Sequence, residues 1–200
     1  MIETMYLGSA DTNALLMGKN TKGHAQLMQR FVSGEKPYYN AFNSPIDACR
    51  AGAILEERMI AHLGSEWLPQ YRVECEEMNV LRSTLDFTKL NKGKIVDFIE
   101  LKSINFDDYL KIPLKGRLDF VKKKYKQYYR QVQQQLLCTG LNEATLRFLC
   151  VYSYDDSENW QRVINDNDYT DVRIKRDDKV IKQIKERASI FQTIKDFYVI

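Results

Sequence analysis

The chain has only two histidines, His24 and His62, and its four cysteines, Cys49, Cys75, Cys138 and Cys150, form no C-x-x-C pair. Neither histidine stands at zinc-ligand spacing from a cysteine, so no zinc centre is expected and the cysteines read as reduced packing residues. A Pro/Gly/Ser-rich linker, internal repeats and low-complexity tracts are also missing. That leaves 200 residues of 44% hydrophobic composition to bury one core, a single domain over 1–200. No apolar run is long enough to span a bilayer and no signal peptide opens the chain, so the expectation is an intracellular protein with no membrane partner. The formal net charge of +3 is too small to name a nucleic-acid partner by itself.

Charge is nevertheless unevenly placed. Between Lys111 and Arg130 stand eight Lys or Arg against a single acid, Asp119. Such a run is either a solvated helix face or a surface that meets phosphate. Just upstream, Lys94-Ile-Val-Asp-Phe-Ile-Glu-Leu-Lys102 reads as a buried strand whose period of two puts Glu100 and Lys102 on one face. Charged groups on an otherwise apolar strand are costly to desolvate unless partnered, which points to a metal or phosphate site.

The remaining pattern places these residues. Ser9 to Met17 reads as a short capped helix ended near Gly18, followed by a polar loop. Ser44-Pro45-Ile46-Asp47 opens a helix running to Leu63, with Ala48, Ala51, Leu55, Met59 and Leu63 as its apolar stripe and Glu56 at the stripe's edge. Glu56 is thus either a surface glutamate or a reach into a half-buried site. Segments Tyr71–Val73, Val80–Phe87 and Ile95–Ile104 form an antiparallel meander with a turn at Asn91-Lys-Gly93, which brings Asp86 towards Glu100 and Lys102.

A long helix is expected from Phe120 to Thr139, stopped by Gly140. Val121, Tyr125, Tyr128, Tyr129, Val132 and Leu136 would be its buried stripe, Lys122, Lys126 and Arg130 a basic side, and Gln127, Gln131, Gln134 and Gln135 a glutamine line. The tyrosines read as core rather than as base-stacking groups. Strands follow at Thr145–Tyr154 and Asp171–Lys175, then an amphipathic helix from Asp178 to Tyr198. In the acidic loop between them, Asp166-Asn-Asp168 lacks the glycine and terminal glutamate of an EF-hand and reads as a turn. The result is a mixed α/β fold with one central sheet flanked by helices.

A phosphodiester is anionic and its leaving group poor, so its hydrolysis near neutral pH calls for a divalent ion that neutralises developing charge and acidifies a water. Asp86, Glu100 and the backbone carbonyl of Leu101 are hard oxygen donors suited to Mg²⁺, and Lys102 would orient and activate the water. Acid-x-Lys is a weak pattern alone, because Asp177-Asp178-Lys179 repeats it at a helix start, where capping explains it.

In order along the chain stand Gly8-Ser9-Ala10, Gly52-x-x-x-Glu56, Ser83-Thr-Leu-Asp86, Ile99-Glu100-Leu101-Lys102 and Tyr128-Tyr-Arg-Gln131-Val-Gln-x-Gln135 leading to Cys138-Thr139-Gly140. This series resembles the lambda-type phage exonucleases and YqaJ-like viral recombinases of the restriction-enzyme-like PD-(D/E)xK nucleases. The resemblance implies a restriction-endonuclease-like core with Asp86, Glu100 and Lys102 as the metal-binding and catalytic set, assisted by Glu56, through a water where it meets the metal, and by Gln131. It also implies Ser9 as a contact to a terminal phosphate, against helix capping as the plainer role. Two departures stand out: Ser83-Thr-Leu-Asp86-Phe87 replaces the usual Ser-Pro-Asp-Gly, and no arginine precedes Ser9. Glu76 takes the place of an acid ten residues before the core aspartate.

The expectation is therefore a Mg²⁺-dependent deoxyribonuclease, with Mn²⁺ as a substitute, that degrades duplex DNA from a free end in phage recombination. Lys122, Lys126 and Arg130 would join Ser9 in binding DNA. The resemblance further implies a homotrimer, a single-strand-annealing partner protein and the cytoplasm of a phage-infected or prophage-carrying bacterium. An endonuclease of the same superfamily and a non-catalytic DNA- or protein-binding module are the alternatives.

Overall fold

Alternation of apolar and polar residues with a period of two builds a sheet whose strands, among the residues described, run in the order β1-β2-β3-β4-β5. The structure is a computed structural model, and it describes residues 5–34, 47–154 and 157–198. Strands β1 (Trp67–Glu74), β2 (Arg82–Asn91) and β3 (Lys94–Asn105) form the expected antiparallel meander. Its hairpin turns at Lys92 and Gly93, both at positive φ (49° and 77°), the geometry of a tight primed turn. β4 (Glu143–Val151) lies parallel to β3, and β5 (Tyr169–Lys175), which follows the single turn α7 (Ser157–Trp160), antiparallel to β4. A parallel pair needs a long crossover. Here that crossover consists of α4 (Phe106–Leu110), α5 (Arg117–Lys124) and α6 (Lys126–Thr139), so the segment after β3 must carry helices over one face of the sheet.

On that face, Val121, Tyr125, Tyr129, Val132 and Leu136 pack against Leu85, Phe98, Leu146, Phe148, Val172 and Ile174. On the other, α3 (Asp47–Leu63) sets Ala51, Leu55 and Met59 against Phe87, Ile99, Leu101 and Leu149. A third cluster joins α1 (Thr12–Leu15), α2 (Lys22–Ser33) and α8 (Asp178–Tyr198) through Leu15, Leu27, Phe31, Ile184 and Phe191. The sheet with helices on both faces is the expected mixed α/β architecture.

Several local expectations are corrected. The polar loop after Gly18 is largely the helix α2, because His24, Leu27 and Phe31 recur on one side and are buried, and the Thr21 hydroxyl accepts the His24 N–H at its start. Asp86 lies in the middle of β2, since that strand continues to Asn91 rather than stopping at Phe87. The long helix from Phe120 to Thr139 is broken at Tyr125 (φ −116°, ψ 42°), where the ring turns into the core against Phe148 and Phe120. Its restart is anchored by the Tyr125 carbonyl, which accepts from the Tyr128 and Tyr129 N–H groups. Ser9 caps nothing. It opens a 3-10 turn in front of which Gly8 stands as cap, with its N–H given to Asp11. Ala48 is exposed rather than part of the α3 stripe. The cap at Ser44 and Pro45, and the loop acids Asp155 and Asp156, lie outside the described residues.

Candidate active site

The site forms where the β2–β3 ladder opens. Pairing runs down to Phe87↔Ile99, and one step further Asp86 and Glu100 face each other across the two strands. There the Asp86 carboxylate, not a strand carbonyl, accepts the Leu101 N–H at 2.7 Å. The period of two that sets Ile99 and Leu101 against α3 sets Glu100 and Lys102 towards α6.

Glu100 is 1% exposed, so its charge survives only through partners. It has three side-chain donors. Lys102 Nζ and Gln131 Nε2 both reach Oε1 at 2.5 Å, and Gln135 Nε2 reaches Oε2 at 2.5 Å. Gln131 and Gln135 are one helical turn apart on α6 and therefore share the face that looks down on β3. Gln135 also donates to the Thr84 carbonyl, tying the helix to β2. Its neighbour Gln134 holds the Leu7 and Arg82 carbonyls and accepts from Thr12, so part of the glutamine line is a set of buried tethers rather than a surface. The Lys102 ammonium lies 5.4 Å from the centre of the Tyr128 ring, which stacks on Tyr125. All three tyrosines of this helix join the packed interior, as the sequence indicates.

The electrostatics divide the acids from the lysine. Burial, and then the charge of Glu100, push the Asp86 carboxyl well above the usual carboxylate range against the pull of Lys102. Burial draws the Lys102 ammonium down, but Glu100 and Asp86 outweigh it and hold the group above its ordinary value. Lys102 therefore stays protonated and serves as a fixed positive charge, not as a base. Glu56, on the edge of α3, is also raised, by burial and by Glu100, although the amide of Gln70 opposes the shift. Glu56, Asp86, Glu100 and Lys102 thus sense one another as one cluster.

Gln70 is the residue that sequence reasoning missed here. It lies in β1 between the pairs Pro69↔Phe87 and Tyr71↔Leu85, beside Asp86, and its side chain donates to Glu56. Its φ of 50° puts a non-glycine residue in the left-handed region, a strained backbone that recurs at functional sites. Gln135, placed by the sequence in the glutamine line and the motif but not in the catalytic set, joins Gln131 on Glu100 because it follows it by four residues.

Among the described residues no three His, Cys, Asp or Glu converge into a ready-made metal cage. Two carboxylates on neighbouring strands, with the Leu101 carbonyl next to Glu100 along β3, are nevertheless the hard oxygen donors that magnesium prefers. Burial first, and then the charge of Glu100, disfavour the ionised Asp86 carboxyl against the pull of Lys102, and a divalent cation held by the two acids would oppose both effects.

The proposed DNA contacts fall elsewhere. Lys122, Lys126 and Arg130 line a cavity of about 220 Å³ with Tyr129, Val180 and Gln183, where α5, α6 and α8 meet. Lys126 precedes Gln131 by five residues, which is about 140° around the helix. The basic side thus faces away from Glu100. Arg130 is half-buried and donates to Asn13 at 2.9 Å. Ser9 is 5% exposed in its turn, beside α6. Other members of the basic run are bound within the fold: Lys111 and Lys124 pair with Asp108, and Arg117 with the Pro113 and Asp171 carbonyls. Asp168 is spent on Arg162, Tyr152 and the Asn165 N–H, in keeping with a turn rather than a calcium loop. Glu76 is exposed in the connection between β1 and β2.

A mixed sheet of this order, with helices on both faces, is the restriction-endonuclease-like α/β fold. Solved structures that share it include an alkaline exonuclease from Laribacter hongkongensis, LHK-Exo, at TM-score 0.66 and 19% identity over 98% of this chain and 92% of that one. The same exonuclease in complex with dAMP matches at TM-score 0.66 and 18% identity over the same shares. A phage related exonuclease from Haemophilus somnus 129PT matches at TM-score 0.64 and 18% identity, over 99% of this chain and 96% of that one. These neighbours agree with the resemblance to phage exonucleases read from the sequence, and at such identities the likeness is one of fold. No protein-family model and no curated protein matches the chain.

Proposed function

We propose that the chain is a Mg²⁺-dependent deoxyribonuclease that hydrolyses phosphodiester bonds of duplex DNA from a free end. The observation that carries this reading is Glu100, a carboxylate closed off from water on a central strand, gripped by Lys102, Gln131 and Gln135 and facing Asp86. Burying a charge beside a second acid costs stability even when donors hold it, and such clusters recur where chemistry is done.

Asp86, Glu100 and the Leu101 carbonyl would hold Mg²⁺, or Mn²⁺ in its place, with Glu56 reaching it through a water. When bound, the ion neutralises charge on the phosphate and makes a water a better nucleophile. The protein's own part is positional. Lys102, fixed as an ammonium, attracts the phosphate oxygens and the attacking water and stabilises the negative charge that grows as the phosphorus–oxygen bond breaks. Gln131 and Gln135 lock the Glu100 carboxylate in one orientation, and Gln70 does the same for Glu56. Lys122, Lys126, Arg130 and Ser9 are proposed as DNA contacts, the first three on a surface apart from the reacting atoms. End-directed action, a trimeric assembly, a single-strand-annealing partner and a role in phage recombination inside bacteria rest on the resemblance to phage exonucleases.

The test is digestion of linear duplex, closed circle and single strand, with 5′-phosphate and 5′-hydroxyl ends, in Mg²⁺ and in chelator. Loss of linear duplex alone, in Mg²⁺ alone, is the expected result. Cleavage of the closed circle makes the protein an endonuclease. Absence of cleavage on every substrate, with no heat of Mg²⁺ or Mn²⁺ binding at millimolar concentration, makes it a binding module.

A further inference from the structure

The sheet face that carries Glu100 and Lys102 does not end with them. Along β3 the period of two continues through Ile104, packed in the α6 cluster, to Phe106, where the strand gives way to α4. β4 pairs with β3 at Lys102↔Phe148 and Ile104↔Cys150, and its matching row runs from Phe148 through Cys150 to Tyr152, just past the strand's end. Ile104 and Cys150 are buried, but the next pair breaks the surface. Phe106 is 41% and Tyr152 47% exposed, with their rings 5.4 Å apart, and Leu110, one turn further along α4, is 65% exposed. Adjoining apolar groups left in water in this way mark a contact surface. The Tyr152 ring is also held in place. Its hydroxyl donates to Asp168 at 3.0 Å, and the Arg162 guanidinium, fixed by Asp168 and the Cys150 carbonyl, lies 4.9 Å from the ring centre. A braced ring loses little freedom when a flat partner settles on it.

We infer that Phe106 and Tyr152 form a stacking platform for an unpaired nucleobase of the DNA strand held at Lys102, an inference that takes DNA as the ligand from the nuclease reading. Continuity with the active site selects this occupant. Phe106 stands two same-face steps beyond Lys102, about 13 Å along the sheet, which is the span of a few nucleotides. A strand with a phosphate at Lys102 therefore has bases within reach of the two rings. Every base offers a π face to an aromatic side chain, and the guanidinium beside Tyr152 adds a cation to the stack. Inside a duplex both faces of a base are covered by its neighbours, so the platform takes a base that is unpaired or terminal. Stacking reads no base edge, so it adds grip near the reacting bond without sequence preference.

The full chain is bound in chelator to single-stranded DNA carrying the photoreactive base 5-iodouracil, with the label moved along the strand, then irradiated and peptide-mapped. A cross-link to Phe106 or Tyr152 from one position or two adjacent ones is expected. An abasic sugar at that position is expected to weaken binding by about 5-fold or more in the native chain, the scale of one lost base stack, and by less in Phe106→Leu, which keeps an apolar side chain but no ring. Cross-links confined to other residues, no cross-link at all, or equal abasic penalties in the two chains overturn the inference. Loss of self-association by Phe106→Leu in sedimentation, with no cross-link at either ring, assigns the surface to a second copy instead. The native cross-link decides even where the variant does not fold. Mg²⁺-dependent digestion by a chain that gives no cross-link here removes the platform alone, whereas a chain that neither binds nor cleaves DNA removes the nuclease reading with it.

Discussion

Two stretches of this chain spell an acid, one residue and a lysine, and the fold treats them in opposite ways. Glu100-Leu-Lys102 lies in an inner strand, where the acid is sealed from water and all its partners are side chains. Asp177-Asp-Lys179 opens α8, where Asp177 accepts the Lys179 and Val180 N–H groups and the Tyr129 hydroxyl. The first acid has an acidic neighbour, Asp86, whose carboxyl is pushed up by burial. The second is held below its ordinary value, because its donors outweigh the cost of burial. A helix start supplies free backbone donors to any acid placed there, whereas an inner strand commits most of its donors to the ladder; the Leu101 N–H goes to Asp86, and Glu100 recruits long side chains instead. The lesson is that what surrounds a short charged motif, rather than the motif, separates a candidate site from a cap.

The sharpest way to break the comparison is to remove each lysine in turn. Lys102→Ala is expected to lower Mg²⁺-dependent cleavage by about 10²–10³-fold, the scale on which a positioned charge-stabilising donor matters, while DNA binding persists. Lys179→Ala is expected to leave cleavage unchanged, since its side chain is exposed on the first turn of a helix. Single-turnover digestion beside a filter-binding assay reads both. Equal activity of Lys102→Ala and the native chain removes the assignment of this cluster as the active site.

A smaller effect compares the supports. Gln135→Leu takes a donor from buried Glu100 and frees the Thr84 carbonyl, which should cost about 1–3 kcal/mol of stability. Cleavage should fall with it, because the carboxylate loses one of its three fixed contacts. Tyr129→Phe removes the hydroxyl that reaches Asp177 and should cost about 1 kcal/mol, with no change in cleavage per folded molecule. Thermal melts give the stability of each, and rates corrected for the folded fraction give the contrast.

Much of this contrast is legible in the sequence. The strands read clearly because alternation with β-branched residues is a local signal, and Asp86, Glu100, Lys102, Gln131 and Glu56 do gather as their spacing and the resemblance imply. What is not legible is set by tertiary geometry. Gln70 reads as an ordinary strand residue, and only its left-handed backbone turns its amide onto Glu56. Tyr125 fits the helical stripe on either side of it, so nothing local announces that its ring breaks the helix. Helix α2 hides because polar residues fill most of its turns and only His24, Leu27 and Phe31 carry its inner side. The basic line of Lys122, Lys126 and Arg130 has the right period, but periodicity cannot say which way a face points, and here it points away from Glu100.

The cap itself gives the smallest and most pH-specific test. Asp177→Ala should cost about 1 kcal/mol near neutral pH, the usual loss for an N-terminal cap, which corresponds to roughly 2–4 °C in a chain of this size. The sign of its pH dependence follows from the lowered carboxyl. A group with a lower pKa in the folded than in the unfolded chain stabilises fully above the unfolded value, about 3.9 for an aspartate, and loses that contribution as pH falls through the folded value. The gap between native and Asp177→Ala melting temperatures should therefore be widest near neutrality and narrow in acid. Asp177→Asn separates charge from geometry, because asparagine caps a helix nearly as well and does not titrate. Its melting temperature should lie between the other two near neutrality and meet the native one in acid. A gap for Asp177→Ala that stays constant from neutral pH into acid means that the carboxylate's charge contributes nothing there, and the two acid-x-Lys stretches then differ in burial alone.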